Sequence, residues 1–476
     1  MPDYFNKRPG QPRLSKTLLK AVLIVFFCVL SLVLSLHSHG SRAALAKKNV
    51  GQPNIIFVIF DALRADHVSA YGYPRQTTPT VDSLLAGKGV LFSEATALTS
   101  WTKPSNASML TSMLPTELFA DWEETNSPVL DRQMMLAEYL SEQGYKTAGF
   151  IDSWFVRAQF GFAQGFDAYQ VVGVDGDSIN SLAMTWLDEQ GYQFGSSSDP
   201  LFLFLYYYDP HSEYVPPPPF DTLFDPDYTG PTTGEVFGHG RDVVSGDLIL
   251  SERDLEHVIA LYDGDIAYSD HFLNIMLDDL SGRGLLDNSL IVFSSDHGEM
   301  FGEHDKWIHR NSLYEEVLRV PLIFRYDGVI PEGAVFDMPV DHLDVTPTIL
   351  DLAGIPIPAH MRGRSLVPLM TGIEAALPER PIYALIAGET DPEGDAYWIA
   401  PRMNLFSIKD DGYKLIHQQQ SDLESNELYV VEQQSIFEGE NVASDQPDRA
   451  AAMWDDLQEQ FSIPNKFLFL PLVGRP

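Results

Sequence analysis

The sequence predicts an α/β protein built on a large, mainly parallel sheet covered by helices. Two observations support this fold class. Continuous apolar runs recur along the chain, and runs of this length suit strands that are buried on both faces. Amphipathic stretches that suit surface helices alternate with them. The apolar runs are Asn54–Phe60, Leu201–Tyr208 and Leu290–Ser294, and the amphipathic stretches include Arg132–Gln143 and Leu255–Leu280.

Each of the three apolar runs is followed by acids or histidines. Asp61 follows the first run, Asp209 and His211 follow the second, and Asp296 and His297 follow the third. In open α/β sheets, ligand sites lie just beyond the carboxyl ends of the strands. We therefore predict a divalent metal site with Asp61, Asp296 and His297 as ligands. Mixed oxygen and imidazole donors favour Zn²⁺ or Mn²⁺, with Ca²⁺ as an alternative.

The segment from Ser100 to Leu110 indicates a loop that leads into a helix, with Pro104 in the first turn. Thr102 then lies at a helix N-terminus, where unpaired N–H groups and the helix dipole favour an anion such as an ester phosphate or sulfate. Beside a divalent metal, its hydroxyl is a candidate nucleophile. Thr102 is therefore predicted both as nucleophile and as a further metal ligand. The alternative is a plain N-cap.

Several blocks occur in an order that resembles the sulfatase family of the alkaline phosphatase superfamily, from about Asn54 to the end of the chain. They include Phe60–His67, Thr102–Leu110, Asp209–Tyr214, Ser295–Glu299 and Gly363–Leu366. The resemblance implies an alkaline phosphatase-like sheet sandwiched by helices, with a small C-terminal antiparallel sheet plus helix. This agrees with short β-like pieces and a final helical stretch, at Ile382–Ile386, Leu405–Ile408, Tyr413–His417 and Asp448–Phe461.

The chain also departs from the family's pattern around Thr102. An ordinary sulfatase has Cys or Ser there, in a Cys/Ser-x-Pro-x-Arg motif whose first residue is oxidised to formylglycine, and Thr cannot take that modification. The Arg of the motif is Asn106 here, and Ala62 replaces a second Asp after Asp61. The family's Lys-Trp-His element is replaced near Asp152–Trp154. These departures indicate a subgroup with a Thr nucleophile and argue against sulfate hydrolysis through formylglycine.

The resemblance further implies catalytic roles for His211 and His309. His211 stands in the family's His-x-Pro-Tyr-like element, whose histidine touches the substrate's oxygens or leaving group, and His309 stands near the Lys of ordinary sulfatases. Both are predicted to assist proton transfer. Two alternatives are buried structural histidines, or a second metal site formed with Asp209 as in similar two-metal phosphodiesterases. Lys103 and Asn106, in the first turn of the helix, are candidates to meet the ester oxygens.

Composition and the N-terminus limit the partners and the location. The formal charge of −36 makes nucleic acid an unsuitable partner, and the single cysteine, Cys28, rules out a disulfide within this chain. The apolar stretch Ala21–Leu36 follows five basic residues, Lys7, Arg8, Arg13, Lys16 and Lys20. This pattern predicts an exported protein. The segment is either a membrane anchor or a signal cleaved near Ala44–Ala46, which would leave a periplasmic or secreted protein.

Together these features predict three regions: an N-terminal signal or anchor with its linker at 1–49, a sulfatase-like catalytic domain at 50–372 and a C-terminal subdomain at 373–476. The predicted function is metal-dependent hydrolysis of sulfate or phosphate-type esters of a glycan, lipid or small molecule. One alternative is a membrane-tethered transferase that moves a phosphoryl group to an envelope glycan or lipid. The other is a sulfatase-like binding protein without turnover.

Overall fold

The computed structural model describes residues 51–121, 126–173, 176–193, 199–237, 243, 246–386, 403–420, 423–431 and 437–461. The predicted membrane or signal segment Ala21–Leu36 lies outside these residues. Within the described ranges, no helix combines the length and the apolar character needed to cross a membrane. The predicted boundaries at residues 49/50 and 372/373 stay predictions.

The described part of the chain contains a nine-stranded main sheet with the order β10-β2-β9-β6-β1-β5-β3-β4, and β11 pairs with β2 beside it. A separate hairpin is formed by β7 and β8. The bounds are β1 Asn54–Phe60, β2 Val90–Thr96, β3 Lys146–Ile151, β4 Ala168–Val171, β5 Leu201–Tyr207, β6 Ser289–Ser295, β7 Met300–Phe301, β8 Trp307–Ile308, β9 Arg319–Tyr326, β10 Ala334–Phe336 and β11 Val340–Asp341.

The predicted sheet is confirmed, with one strand in the opposite direction. Strands β1, β3, β4, β5 and β6 form a parallel block, whereas β9 runs antiparallel to both β6 and β2. Parallel neighbours need a crossover that returns the chain to the starting edge of the sheet. The segment between β6 and β9 contains short elements and no such crossover helix. Strand β9 therefore runs back beside β6, and the sheet is mixed.

Strand β1 illustrates how the sheet is buried on both faces. Ile55, Phe57 and Ile59 pack into one apolar core, and the alternate residues Ile56 and Val58 pack into a second core on the opposite face. All five side chains are fully buried. Burial of each such side chain contributes roughly 1.5–3 kcal/mol. The continuous apolar run in the sequence thus reflects two cores and not one.

Helices cover the sheet at Thr102–Thr111, Pro115–Leu118, Leu136–Glu142, Gly176–Glu189, Glu252–Gly282, Glu315–Leu318, Val345–Leu352 and Val367–Met370. The longest begins after Ser251, whose hydroxyl oxygen accepts a hydrogen bond from the Asp254 N–H at 3.2 Å. The helix predicted from Arg132 begins later, at Leu136. There the Glu138 carboxylate accepts from the N–H of Met135 at 2.8 Å and caps the helix.

The C-terminal region forms the predicted antiparallel sheet plus helix. Its strands are β12 Ile382–Ile386, β13 Met403–Asp410, β14 Tyr413–Gln420 and β15 Leu423–Val430, paired in that order. The final strand begins with four consecutive polar residues after Leu423, at positions 424–427, and was not predicted. A helix at Pro447–Phe461 places Met453 and Leu457 in one apolar cluster with Phe406, Leu415 and Leu428 of the sheet.

Candidate active site

The strand register brings the first two predicted metal ligands together. Phe60 at the end of β1 pairs with Tyr207 of β5 on one side and with Ser295 of β6 on the other. Because the three strands are parallel and end at the same level, Asp61 and Asp296 follow them as neighbours. The backbone conformation of Ala62, with φ at +55°, turns the chain immediately after Asp61. The N–H of Ala62 donates to the Asp296 carboxylate at 3.2 Å.

Asp61, Asp296 and His297 form a buried cluster whose ligand atoms all lie within 4.8 Å of one another. The Nε2 atom of His297 is 3.8 Å from Oδ1 of Asp61 and 3.6 Å from Oδ2 of Asp296. Ligand atoms that share one ion at about 2.1 Å lie at most about 4.2 Å apart. The two measured separations therefore suit a single shared cation.

The chemistry of Asp61 also fits a cation. Both of its carboxylate oxygens are buried without a hydrogen-bond partner among the described residues. Burial raises the pKa of Asp61 well above its ordinary value, and the negative charge of Asp296 raises it further. Nδ1 of His297 lies 2.9 Å from the carbonyl of Gly298, which only accepts, so Nδ1 donates to it and Nε2 is the nitrogen left to bind a metal. These residues fit a divalent metal ion.

Two side chains hold Asp296 in place from behind. Its Oδ2 atom accepts from the hydroxyl of Tyr206 at 2.9 Å and from the side-chain amide of Asn106 at 3.2 Å. Burial raises the pKa of Asp296, but the nearby His297 and the Tyr206 hydrogen bond outweigh it and the pKa is lowered. Tyr206 was not predicted from the sequence. The available signal was a hydroxyl-bearing aromatic residue close to the end of a strand predicted to carry ligands.

Thr102 is the first residue of its helix, and Trp101 occupies the N-cap position. The Oγ1 atom of Thr102 lies 3.2 Å from Nε2 of His297, and the side chain is buried. The hydroxyl therefore faces the same nitrogen that faces the two carboxylates. Thr102 joins the predicted metal cluster at the positive end of a ten-residue helix.

Lys103 does not lie where a cation for the ester is expected. Its Nζ atom donates to the carbonyl of Ser127 at 2.7 Å. The ammonium group also lies over the rings of Trp101, Phe119 and Phe160, at 4.8–5.5 Å from their centres. An aromatic cage of this kind attracts a desolvated ammonium group by cation–π interaction. Lys103 and Asn106 stay candidates to meet the ester oxygens, and in the structure the Asn106 amide contacts Asp296.

The two predicted catalytic histidines line up beside the cluster. The ring of His309 is centred 4.3 Å from that of His297 and 4.8 Å from that of His211. Nδ1 of His309 donates to the buried carboxylate of Glu299 at 2.9 Å, which the sequence analysis did not foresee. Burial lowers the pKa of His211 to about 3 and that of His309 well below its ordinary value. These lowered pKa values favour the neutral imidazole in both histidines, and a neutral imidazole can accept a proton.

The alternative second metal site has no support in the geometry. Asp209, His211 and His309 are all described, but their ligand atoms do not form one group. Asp209 instead accepts from the hydroxyl of Ser269 at 3.5 Å, and Nδ1 of His211 lies 2.7 Å from the carbonyl of Ser212. The structure thus brings His211 and His309 together without Asp209.

Family comparison agrees with the fold. The family model described as Sulfatase matches residues 53–355. The chain belongs to the sulfatase family. A second model, described as N-sulphoglucosamine sulphohydrolase, C-terminal, matches residues 302–462. The sulfatase family generally binds a divalent metal, in keeping with the Asp61–Asp296–His297 cluster.

Curated relatives of this sulfatase-family chain are sulfuric ester hydrolases. An arylsulfatase from Clostridium perfringens is 27% identical over an alignment of 387 positions, which covers 67% of this chain and 78% of that protein. An N-acetylglucosamine-6-O-sulfatase from Bacteroides thetaiotaomicron is 25% identical over 426 positions, covering 72% of this chain and 75% of that protein. The chain is therefore an ester hydrolase of the sulfatase family.

Solved structures with the same fold act on two kinds of ester. A protein in complex with its substrate D-glucosamine-2-N,6-O-disulfate superimposes with a TM-score of 0.68 at 20% identity, covering 87% of this chain and 99% of that chain. A phosphonate monoester hydrolase of Agrobacterium radiobacter has a TM-score of 0.67 at 22% identity, covering 86% of this chain and 96% of that chain. At these identities the likeness establishes the fold alone.

Proposed function

We propose that the protein is an exported, metal-dependent hydrolase that uses Thr102 as its nucleophile and prefers phosphate-type esters to sulfate esters. One observation carries the proposal. The Thr102 hydroxyl lies 3.2 Å from Nε2 of His297, beside the buried Asp61–Asp296 pair and at a helix N-terminus. Asp61, Asp296, His297 and Thr102 would hold the metal, with Zn²⁺ or Mn²⁺ favoured by the donor set.

The bound metal would supply charge neutralisation at the ester and a lower pKa for the Thr102 hydroxyl. Thr102 Oγ1 forms a bond to the phosphorus or sulfur atom, and the bond to the leaving-group oxygen breaks in line with it. Neutral His309, oriented by Glu299, or His211 beside it accepts the Thr102 proton, and the leaving oxygen, on the opposite side of the reacting atom, takes a proton from solvent. Water then attacks the phosphorus or sulfur atom of the Thr102 ester and gives up a proton to solvent. The bond to Oγ1 breaks, and the protonated histidine returns its proton to Oγ1 to regenerate the hydroxyl.

The preference for phosphate-type esters follows from what replaces the family's motif. A hydrated formylglycine releases sulfate by breakdown through its second hydroxyl, whereas a Thr ester must be released by direct attack. Phosphoryl centres tolerate that route when a metal neutralises their charge.

The surroundings of Thr102 also indicate which phosphate-type ester is preferred. Lys103 contacts Ser127 and an aromatic cage, and Asn106 contacts Asp296, so neither supports a second negative charge on the ester. A singly charged phosphodiester or phosphonate monoester therefore suits the site best. The fold likeness to a phosphonate monoester hydrolase is in keeping with this preference.

The test compares kcat/KM for matched nitrophenyl esters of sulfate, phosphate, a phosphodiester and a phosphonate. We expect the phosphodiester or phosphonate to be turned over best. Thr102→Val removes the hydroxyl at constant shape and should abolish turnover, whereas Thr102→Ser keeps the hydroxyl and should retain part of it. Dominant sulfate turnover would overturn the preference, and full activity of Thr102→Val would overturn the nucleophile.

Export is supported by the five basic residues that precede Ala21–Leu36. In intact spheroplasts, added protease should digest the folded domain. A cytoplasmic marker protein serves as the control for lysis. Digestion of the domain only after lysis would overturn this orientation.

A further inference from the structure

A second group of metal-ligand side chains lies apart from the Asp61–Asp296–His297 cluster. Nε2 of His304 is 3.6 Å from a carboxylate oxygen of Glu316 and 3.9 Å from one of Glu438. The three ligand atoms lie within 4.8 Å of one another. His304 follows strand β7, Glu316 belongs to the short helix before β9, and Glu438 follows β15 of the C-terminal sheet. The group therefore joins three separate segments of the chain.

Glu316 is the member that points to a ligand. The residue is only 2% exposed, and neither of its carboxylate oxygens has a hydrogen-bond partner among the described residues. A buried carboxylate without donors is costly, because it has lost its hydration without compensation. Burial, together with the charge of Glu438, raises the pKa of Glu316 to about 8. A cation beside Glu316 would remove this cost.

The basic side chains closest to the group pair with acids other than Glu316. Lys414 donates to Oε1 of Glu438 at 2.6 Å and to Glu315 at 2.8 Å, whereas it is Oε2 of Glu438 that faces His304. Arg64 donates to Asp66 and Glu303. Among the described residues, the ion-pair partner of Glu316 is His304, and that histidine is charged only when protonated.

We propose that His304, Glu316 and Glu438 form a second divalent cation site. One imidazole and two carboxylates suit Zn²⁺ or Mn²⁺ better than Mg²⁺ or Ca²⁺. The His304 ring stacks on Tyr314 with centres 3.7 Å apart, which fixes its orientation. The His304 side chain is 24% exposed, so an ion and its remaining water ligands can reach the site from solvent.

The position of this site gives it a structural role. The N–H of Gly298, next to His297, donates to the carbonyl of Val317 at 2.9 Å, and Gly298 packs directly against the backbone of Glu316. Glu438 belongs to the C-terminal region. An ion held by Glu316 and Glu438 would therefore tie the C-terminal sheet to the segment that carries Asp296 and His297. It would contact neither the ester nor Thr102.

The test counts bound Zn²⁺ on the full chain, stripped with a chelator, reconstituted with Zn²⁺ alone and dialysed. We expect about two equivalents in the parent and about one in Glu316→Gln and in His304→Asn. Asp305→Asn changes an exposed acid of the same loop and should match the parent. Asp296→Ala should lose the other equivalent, so failure of the active-site assignment is distinguishable from failure of this one.

A second measurement covers variants that do not fold. Glu438→Gln approaches the site from the C-terminal sheet, and circular dichroism checks its fold. Zn²⁺ should raise the Tm of Asp296→Ala, which lacks the active-site ligand, and should not raise that of Asp296→Ala combined with Glu438→Gln. Loss of one equivalent and of this Tm shift supports the site. Unchanged Zn²⁺ content in Glu316→Gln and Glu438→Gln would show that His304 is a protonated ion-pair partner and would overturn it.

Discussion

Buried acids occur in two regions of this molecule, and the protein provides for them differently. In the Asp61–Asp296–His297 cluster at the strand ends, both oxygens of Asp61 lack a hydrogen-bond partner among the described residues. Next to the C-terminal sheet, Glu315 accepts from Lys414 at 2.8 Å and from Lys409 at 3.3 Å. The pKa of Asp61 is raised by burial, whereas the two lysines outweigh burial at Glu315 and lower its pKa. The difference separates acids that are available to an external cation from acids that pair with lysines of the fold.

Glu316 sharpens this comparison because it follows Glu315 directly. The two carboxylates lie in the same short helix and are both buried, yet only Glu315 has lysine partners. Glu316 resembles Asp61 in having no donor for its oxygens among the described residues. For these three buried acids, the presence or absence of donor side chains distinguishes a candidate cation ligand from a structural acid.

The largest expected effect on activity comes from removing Asp61 or Asp296. Asp61→Ala and Asp296→Ala should lower kcat/KM by more than roughly 10³-fold, since loss of the metal removes several kcal/mol of charge stabilisation in the transition state. Without metal, Asp61→Ala should be at least as stable as the parent, because removing Asp61 relieves its repulsion with Asp296. Turnover, metal content and urea unfolding measure the three quantities. Full activity in a folded variant would contradict the assignment.

The next largest effect is expected at Glu315, the acid paired with two lysines. Its loss should lower stability and leave activity nearly unchanged. Glu315→Gln should lower the free energy of unfolding by about 3 kcal/mol, because it leaves Lys409 and Lys414 buried with less compensation. Its kcat/KM per folded molecule should stay within a few-fold of the parent. Glu440→Gln, an exposed acid, is the matched control. Equal stability of the two variants would show that the lysines do not stabilise the region through Glu315.

The same pair has a predictable pH dependence. The pKa of Glu315 is lower in the folded protein than in the unfolded chain, where the pKa of a glutamate is about 4.3. The stability that Glu315 contributes is therefore complete above that unfolded-state pKa and is lost as the pH falls below it. The gap in unfolding free energy between parent and Glu315→Gln should narrow from pH 7 to pH 3.5. A gap independent of pH would exclude the charge of Glu315 as its cause.

The sequence could predict the strand ends because their signal is local. The apolar run Asn54–Phe60 matches β1 residue for residue, and Thr102 starts its helix because Pro104 suits a first turn and cannot continue an earlier one. The parallel register then requires Asp61 and Asp296 to be neighbours. These features depend on hydrophobic periodicity and on backbone chemistry, and both can be recognised in a short stretch of sequence.

The features that could not be predicted depend on contacts distant in the chain. Lys103 follows Thr102, but its contacts with Ser127, Phe119 and Phe160 place it away from the ester. Tyr206 is identical in residue type to its neighbour Tyr207, and only the strand's two-residue alternation decides which one reaches Asp296. Such contacts are set by packing across the sheet, which no local pattern reports.

That pair of tyrosines gives the smallest and most selective prediction. Tyr206 donates to Asp296 at 2.9 Å, whereas Tyr207 points to the other face and donates to the side chain of Asn180 at 2.7 Å. Tyr206→Phe should weaken metal binding by roughly 10- to 100-fold, because it removes the hydrogen bond that orients a ligand carboxylate. Tyr207→Phe removes the same hydroxyl from the same strand and should leave metal affinity unchanged. Competition with a fluorescent chelator measures both affinities. Equal affinities in the two variants would mean that Asp296 does not depend on Tyr206 for its position. The strand register alone would then position the metal ligands.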